Sequence, residues 1–240
     1  MLEAVFISDL HLHPNEPIVL ERFNSFIRWA AINTRAVYIL GDFFHVWAGD
    51  DALGIWSKKI AQRLLWLTKQ KIAIYYMVGN RDFLVSDKFA IIAGVTLLKE
   101  PTILEINGEW TLLAHGDKYC TNDQAHQWFR YLTRNSFFAM IFLKIPLGLR
   151  LKIVNKVRKR SAANNTKTAE NLNIVVKTMI KDLQKRGATI IIHGHIHKPA
   201  FTQYVIKNNL YSQYSLSDWD DKPQILCYDA AHGFYFAQYF

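Results

Sequence analysis

The 240-residue chain is poor in cysteine, and its two cysteines, Cys120 and Cys227, exclude two kinds of protein. They are too few for a disulfide framework, and their spacing matches no zinc site built on thiolates. We interpret both as free thiols of a cytosolic protein.

The chain also lacks an uninterrupted apolar run of about 20 residues, which a membrane-spanning helix requires. Its most apolar segment, residues 137–149, is too short and contains Lys144, Pro146 and Gly148. No basic stretch precedes the first apolar segment, so we expect no secretory signal. Half of all residues are hydrophobic, which is enough to bury the core of a single domain over 1–240.

Acidic residues are scarce in residues 144–186, which hold 12 Lys and Arg against two acids. The local net charge of +10 exceeds the +9 of the whole chain, so the remainder is close to neutral. A basic segment of this kind meets phosphate groups, which can belong to a nucleic acid, a lipid headgroup or a small anionic substrate.

Five short apolar runs are each followed at once by Asp, Asn or His. Continuous apolar runs of this length are typical of strands that are covered on both faces. Apolar residues at helical spacing lie between the early runs, over 21–33 and 56–70. The alternation predicts an α/β or α+β fold with polar clusters at the carboxyl ends of its strands. The predicted strands span 4–7, 36–40, 72–78, 110–114 and 189–192, followed by short strands at 204–206, 225–228 and 233–239.

Residues 122–186 interrupt this alternation because they have no strand pattern and contain the whole positive excess. We predict a basic, mostly helical insertion over 122–186 that caps the strand ends and binds substrate.

The polar clusters offer carboxylate, amide and imidazole groups but no thiolate. Any one of them is also ordinary turn chemistry, and a lone Asp-x-His is more often a capped or solvated turn than a metal site. Five such clusters directly after strands are better explained as one metal site, suited to Mn²⁺, Fe²⁺ or Zn²⁺. The clusters are Asp9-x-His11, Gly41-Asp42, Gly79-Asn80-Arg81-Asp82, His115-Gly116-Asp117 and His193-Gly194-His195-x-His197.

This ordered series resembles that of the calcineurin-like metallophosphoesterases. The resemblance implies a four-layer α/β/β/α sandwich with two metal ions. It implies that Asp9, His11 and His197 bind one ion, and that Asn80, His115 and His195 bind the other. Asp42 is then the bridging ligand, and Asp42, Arg81 and His115 are the expected catalytic residues. Asp82 and Asp117 match no ligand position, and we expect them to orient the histidines.

Arg81 departs from the general family pattern, in which His commonly follows the Asn and protonates an alkoxide leaving group. An arginine cannot serve as that acid, but its planar fork suits a phosphate oxygen. The substitution favours a pyrophosphate substrate, whose leaving group is itself a phosphate and needs no proton.

Residues 41–51, 79–84 and 115–123 resemble the UDP-2,3-diacylglucosamine pyrophosphatases of lipid A biosynthesis, and the similarity extends over the chain. It implies hydrolysis to UMP and 2,3-diacylglucosamine 1-phosphate, with two Mn²⁺ or other divalent ions. It further implies a peripheral protein on the cytoplasmic face of the inner membrane. The expected partners are the lipid-linked sugar nucleotide and an anionic membrane surface, with no nucleic acid and no obligate protein partner. His45 replaces the common Glu, and the spacing around 161–167 differs by a residue.

The resemblance also implies residues that contact the substrate. Phosphates and glucosamine would be held by Asn80, Arg81, Asp123, Ser161, Asn164, Lys167 and His195. Apolar residues of the insertion would line a groove for acyl chains, although helix packing explains each of them equally well. These residues are Phe129, Phe137, Phe138, Ile141 and Ile153.

Two alternatives remain open. A soluble nucleotide phosphodiesterase or nuclease on the same metal core would use the basic segment to track nucleic acid. The aliphatic residues interleaved with the charges argue against it, since they are typical of an interfacial helix. A non-enzymatic scaffold with a decayed metal site would have lost at least one ligand, and the set is complete.

Overall fold

The computed structural model describes residues 1–163 and 173–239, with the backbone alone for 159–163. Its strands form one sheet of six and one of five. In chain order the strands are β1 Ala4–Ile7, β2 Ala36–Leu40, β3 Ala73–Met77, β4 Thr96–Leu98, β5 Thr102–Ile106, β6 Glu109–Ala114, β7 Ile190–His193, β8 Ala200–Ile206, β9 Asn209–Ser215, β10 Ile225–Asp229 and β11 Gly233–Ala237. All eight predicted strands are present.

In the six-stranded sheet the order is β11-β10-β1-β2-β3-β4. Its strands β1 to β4 are parallel, with Phe6 opposite Tyr38 and Tyr38 opposite Tyr75. The five-stranded sheet has the order β5-β6-β7-β9-β8, and its strands β6, β7 and β9 are parallel. The parallel strands of each sheet therefore end along one edge, as the sequence predicted.

Helices cover the outer faces of both sheets. In chain order they are α1 Pro17–Asn33, α2 Ile55–Lys69, α3 Asp87–Ala93, α4 Gln124–Thr133, α5 Ser136–Leu143, α6 Leu147–Ala163 and α7 Val176–Arg186, with single 3-10 turns at Asp50–Ala52 and Asp117–Tyr119. In α1, the buried residues recur at helical spacing, and Pro17 suits the first turn because it needs no hydrogen-bond donor there.

Three apolar clusters hold the layers together. The largest joins the six-stranded sheet to α1, α2 and α3, through residues such as Phe23, Leu64 and Phe89. A second lies between the two sheets and includes Phe6, Leu113 and Ile192. The third packs α7 on the five-stranded sheet. The predicted four-layer α/β/β/α sandwich is confirmed.

The segment predicted as an insertion is helical where the structure describes it. Helix α7 packs on the five-stranded sheet through Met179, Ile180 and Leu183, so it forms the outer layer of the sandwich. The helices α4 to α6, which we call the insertion helices, follow β6 in the chain. The bounds 122–186 and the capping role stay predictions. Among the described residues, no helix combines the length and the hydrophobicity needed to cross a membrane.

Candidate metal centre

The five polar clusters of the sequence meet at one edge of the sandwich. Asp9, Asp42 and Asn80 follow the parallel strands β1, β2 and β3, and His115 and His195 follow β6 and β7. Backbone hydrogen bonds tie the loops together, with the Asp9 N–H donating to Gly41 O at 3.1 Å and Gly194 N–H to His115 O at 2.8 Å. The parallel strand pairing thus brings these side chains into one place.

Five of the predicted ligands adopt a left-handed backbone conformation that residues other than glycine rarely adopt. They are Asp9, His11, Asp42, His195 and His197, with φ between 50° and 71°. The chain therefore leaves the strand pleat at each ligand, which turns Asp9 and His11 to the same side. Strain of this kind persists only where the surrounding structure enforces it, and it clusters at functional sites.

Two glycines let the loops approach closely. A Cβ added at Gly79 would lie 2.1 Å from Asp42 Oδ1, and one at Gly194 would lie 2.3 Å from Asp9 Oδ2. Both distances are far below van der Waals contact, so any side chain at either position would push a carboxylate out of place.

One group of possible ligands consists of Asp9, His11 and His197, whose ligand atoms all lie within 4.8 Å of one another. His197 Nε2 is 3.4 Å from Asp9 Oδ1 and 3.3 Å from His11 Nε2. These are the three residues predicted for the first ion. The described residues leave Asp9 Oδ1 and His11 Nδ1 buried and without a hydrogen bond.

Around His115 lies a second group, in which Asp9, Asp42 and His115 have ligand atoms within 4.8 Å. Asn80 Oδ1 lies 2.8 Å from His115 Nε2 and 3.1 Å from His195 Nδ1, so the predicted second set is also together. Asp42 lies between the two groups, with Oδ1 3.6 Å from His115 Nε2 and Oδ2 4.0 Å from His11 Nδ1.

The charges of this edge are strongly coupled. Burial raises the pKa of Asp42 to about 6, against the opposing effect of His115. Burial also acts to raise the pKa of Asp9, but the close approach of His197 and the charges of His115, His197 and His11 bring it below its ordinary value. Burial lowers the pKa of His195 to about 3, and the charge of His115 adds to this. The site therefore holds carboxylates and neutral imidazole close together.

The donor set fits a cation. His115 Nδ1 hydrogen-bonds Leu40 O at 2.9 Å, so in a neutral ring Nε2 is a lone pair that faces the oxygen of Asn80. Two acceptors at that distance need a proton or a metal ion between them. In agreement, the charges of Asp42 and Asp9 outweigh burial and raise the pKa of His115. Oxygen and imidazole ligands of this kind suit divalent ions of intermediate softness.

Arg81 lies directly against the centre. Its Nε is 3.3 Å from Asp42 Oδ2, and its backbone N–H donates to Asp42 Oδ1 at 2.8 Å. The Arg81 side chain keeps 29% exposure, so part of its guanidinium faces the open side of the site.

Asp82 has a different role from the one predicted. Its carboxylate accepts hydrogen bonds from backbone N–H groups of Phe43, Phe44 and Gly79 and from the Tyr76 hydroxyl, at 2.5 to 3.4 Å. It thereby joins the loop of Asp42 to the loop of Asn80. The prediction that it orients a histidine is wrong.

The side-chain contacts of Asp117 are with α4 and the residue after it. Arg130 Nε lies at 3.2 Å and His126 Nε2 at 3.8 Å, and Arg134, directly after the helix, lies at 3.9 Å. None of these three is a predicted ligand, so the prediction that Asp117 orients a ligand histidine by direct contact is wrong. The His126 ring packs on His195 with centroids 5.1 Å apart, which links α4 to the centre.

The remaining predicted substrate contacts belong to the insertion. Asp123 is buried at the start of α4, where its Oδ1 accepts from the His126 N–H. Ser161 lies in α6, and its side chain is not described; Asn164 and Lys167 lie outside the described residues. Of the predicted groove residues, Phe138 and Ile153 pack against the large core cluster, whereas Phe137 and Ile141 are exposed.

Two residues of the site, Asp218 and Ser8, have no signal in the sequence. Asp218 Oδ2 lies 3.4 Å from His197 Nδ1, and Ser8 donates to Asp9 Oδ2 at 2.6 Å. With these two carboxylates as partners, the pKa of His197 rises to about 10 even though burial opposes it. Asp218 occupies the position of a residue that orients a ligand histidine.

Comparison with known proteins agrees with this geometry. A model of the calcineurin-like phosphoesterase family matches residues 3–199. A protein of Pseudomonas putida named UDP-2,3-diacylglucosamine hydrolase is 37% identical over 217 residues, 90% of each chain. A protein of that name from Proteus mirabilis is 39% identical over 82% of each chain. Another from Pseudomonas aeruginosa is 36% identical over 95% of this chain and 96% of the relative. The predicted resemblance is confirmed, and the chain belongs to the calcineurin-like phosphoesterase family.

Proposed function

We propose that the protein hydrolyses the pyrophosphate bond of UDP-2,3-diacylglucosamine in lipid A biosynthesis, giving UMP and 2,3-diacylglucosamine 1-phosphate. The identity of the substrate is proposed from the 34–39% sequence identity, over most of the chain, to curated relatives that are named for it. The complete set of site residues supports an enzyme over a decayed scaffold.

Seven residues are proposed as metal ligands. Asp9, His11 and His197 would hold one ion, Asn80, His115 and His195 would hold the other, and Asp42 would be shared by both. Two bound divalent ions would supply an activated water and offset negative charge at phosphorus. We infer Mn²⁺ as the preferred ion because the ligands are oxygens and imidazoles without a thiolate.

Arg81 is proposed to bind the phosphate chain. Its Nε is held beside Asp42, which fixes the plane of the guanidinium, and its other nitrogens remain available to phosphate oxygens. Arginine does not release a proton at neutral pH, so the group that leaves must be stable without one. A nucleoside monophosphate or a sugar phosphate meets that condition.

The insertion helices are proposed to receive the acyl chains. Phe129 packs edge-on against Phe83, directly after the Asn80 loop, so α4 reaches the metal centre. Beyond it, α5 exposes Phe137, Met140 and Ile141, with 48% to 63% of each accessible. An apolar surface that begins beside the metal centre and continues along the insertion helices suits a substrate with two long hydrocarbon tails.

The same surface is proposed to rest on the cytoplasmic face of the inner membrane. Lys144, Lys152 and Lys156 are exposed on and beside α6, close in sequence to the exposed apolar residues of α5. Basic side chains contribute roughly 1 kcal/mol each near an anionic bilayer. Neither a nucleic acid nor an obligate protein partner is part of this proposal.

The activity is tested by comparing three substrates with the purified protein and Mn²⁺. We expect UDP-2,3-diacylglucosamine to be cleaved to UMP at a kcat/KM far above those of a dinucleotide and an aryl phosphate, and cleavage to stop in excess chelator. Preference for the dinucleotide would show that the protein is a nucleotide phosphodiesterase instead. Full turnover in chelator would refute the metal centre.

Membrane binding is tested by sedimentation with vesicles. We expect the protein to bind vesicles with anionic lipid and not neutral ones. Charge reversal of Lys144, Lys152 and Lys156 to Glu should release it. Reversal of the exposed Lys58, Lys59 and Lys69 of α2 is the matched control and should not. Equal binding of neutral and anionic vesicles would contradict the electrostatic part of the proposal.

A further inference from the structure

Helix α4 has polar side chains that the proposed function does not use. That function assigns α4 to the acyl chains through Phe129. The polar side chains of the helix, and that of its C-cap residue Arg134, instead contact the loops of the three residues proposed for the second ion. Those residues are Asn80, His115 and His195.

The Asn80 loop is held by α4 on both sides of the ligand. Arg134 Nη2 donates to Val78 O at 3.1 Å, two residues before Asn80. Phe129 packs edge-on against Phe83, three residues after Asn80, with ring centroids 6.4 Å apart. The two contacts therefore fix the backbone that carries the Asn80 side chain.

The His115 loop is held through Asp117, which follows His115 by two residues and is fully buried. Arg130 Nε lies 3.2 Å from Asp117 Oδ1, and Arg134 Nη2 lies 3.9 Å from Oδ2. Gln127 Nε2 donates to the backbone oxygen of Asp117 at 2.8 Å. Helix α4 thus contacts both the carboxylate and the main chain of this residue.

The charges in this contact are balanced. Arg130 also pairs with the Glu100 carboxylate, which lies between β4 and β5. Two carboxylates, of Asp117 and Glu100, therefore face two guanidinium groups, of Arg130 and Arg134, and the four side chains are only 0% to 18% exposed. A buried charge that loses its partner is strongly unfavourable, so the cluster holds α4 against the loop after β6.

The His195 loop is in contact with the same helix. The His126 ring lies 5.1 Å from the His195 ring, and His126 Nε2 lies 3.8 Å from Asp117 Oδ2. A Cβ added at Gly116 would lie 2.8 Å from Gly194 O, so the loops after β6 and β7 are pressed together under α4. A shift of the helix would therefore disturb both loops.

The residues proposed for the first ion are supported by other elements. Ser8, directly after β1, donates to Asp9 Oδ2 at 2.6 Å. Asp218, in the loop after β9, lies 3.4 Å from His197 Nδ1, and the His11 N–H donates to the backbone of the loop after β2 at 3.0 Å. The two halves of the metal centre thus differ in what holds them.

We propose that α4 holds the second metal site through Arg134, Arg130 and Gln127, which act as positioning residues, so that the insertion is required for the second ion and not for the first. The inference rests on the proposed function for the assignment of the ligands. Residues that orient metal ligands commonly change metal affinity by about 10- to 100-fold when they are replaced.

The test is a Mn²⁺ titration of the whole protein, followed by calorimetry and by EPR. Two ions in one centre give a spin-coupled signal, whereas one ion gives the signal of isolated Mn²⁺. We expect wild type to bind two ions. Arg134→Met should keep the affinity for the first ion and weaken the second by roughly 10- to 100-fold, with loss of the coupled signal.

Two further variants keep the test independent of folding. Gln127→Leu removes no charge and should fold, and it should weaken the second ion in the same direction because it frees the Asp117 backbone. Arg150→Met is the matched control, since Arg150 is also buried and ties α6 to Ala48 O and Asp51 after β2. It should lower Tm but leave the titration unchanged. Equal weakening of the second ion by Arg150→Met would show a general loosening of the insertion and would overturn the proposal.

Double variants identify which ion is lost. In a His11→Ala background, Arg134→Met should leave no tightly bound ion, because each change weakens a different site. In an Asn80→Ala background it should change little, because both act on the same site. The opposite pattern, or an Arg134→Met protein that binds both ions as wild type does, would overturn the proposal.

Failure of this inference can be distinguished from failure of the proposed function. If Arg134→Met loses the second ion but wild type does not cleave UDP-2,3-diacylglucosamine, the proposed substrate is wrong and the role of α4 stands. If the lipid is cleaved and Arg134→Met retains both ions, only the role of α4 is wrong. A wild-type protein that binds no second ion would refute both the ligand assignment and this inference.

Discussion

Asp82 is the residue on which the two loops of the metal centre most depend, and Asp82→Asn tests this. The carboxylate is fully buried and accepts from Gly79 N–H on Oδ1 and from Phe43 N–H and the Tyr76 hydroxyl on Oδ2. Asn has the same shape, but its amide nitrogen is a donor. Either orientation places that donor against at least one buried backbone N–H.

The size of the effect follows from the bonds. A hydrogen bond to a charged group contributes about 1.5 to 3 kcal/mol, and a buried donor left without an acceptor costs about 1 to 3 kcal/mol. We therefore expect Asp82→Asn to lower the free energy of unfolding by about 3 kcal/mol. In a domain of this size that is a fall in Tm of about 6 to 12 °C. Metal affinity should fall as well, since Asp42 and Asn80 lie on the loops that Asp82 joins.

Urea unfolding in chelator measures the first effect and Mn²⁺ titration the second. Asp87→Asn is the control, because Asp87 is exposed in the first turn of α3 and should change stability by less than about 1 kcal/mol. If Asp82→Asn unfolds within about 1 kcal/mol of wild type and binds Mn²⁺ equally well, the loops do not depend on this carboxylate.

Three further predictions concern single residues. Asp42→Ala should weaken Mn²⁺ binding and turnover more than His11→Ala or His197→Ala, because Asp42 lies between both ligand groups; near wild-type turnover would refute its bridging position. Arg81→Ala should lower turnover of a pyrophosphate about 10²- to 10³-fold, and an equal loss on every phosphate substrate would show a structural role only. Burial lowers the pKa of His193 from 6.5 to about 4, so between these values the unfolded chain binds more protons and stability falls as pH falls. The full loss, reached near pH 4, amounts to about 3 kcal/mol, and about 2 kcal/mol of it falls between pH 7 and pH 5. Urea unfolding at pH 7, 6 and 5 should show a smaller loss for His193→Gln.

The sequence predicted the fold well where the signal is local. Strands β1, β2, β3, β6 and β7 are mainly apolar because helices or the opposite sheet cover both faces over most of their length. Each was found within a residue or so of its bounds. Strand β9 was missed because it reads Asn-Leu-Tyr-Ser-Gln-Tyr-Ser, a sequence with too many polar residues to stand out as a strand, although it lies inside the sheet between β7 and β8. Strand β4 has three residues, and α3 has seven, too few for a periodic pattern.

The residues of the metal centre, like the strands, were predictable where the sequence signal is local. Glycine beside Asp, Asn or His after a strand marks four of the five ligand loops, and the loops converge because parallel strands end together. Asp218 could not be found in this way. It follows β9, the strand that the sequence did not predict, and reaches His197 from a loop 21 residues later in the chain.

The basic excess over 144–186 is divided by burial into groups with different responses to salt. Arg150 is buried and paired with Asp51, whereas Lys144, Lys152 and Lys156 are exposed. Screening acts over about 8 to 10 Å at ordinary ionic strength and affects exposed charges most. Raising the salt should therefore release the protein from anionic vesicles at concentrations that leave Tm nearly unchanged. Parallel loss of vesicle binding and stability with salt would show that the excess acts as one diffuse charge, and that the division by burial has no functional meaning.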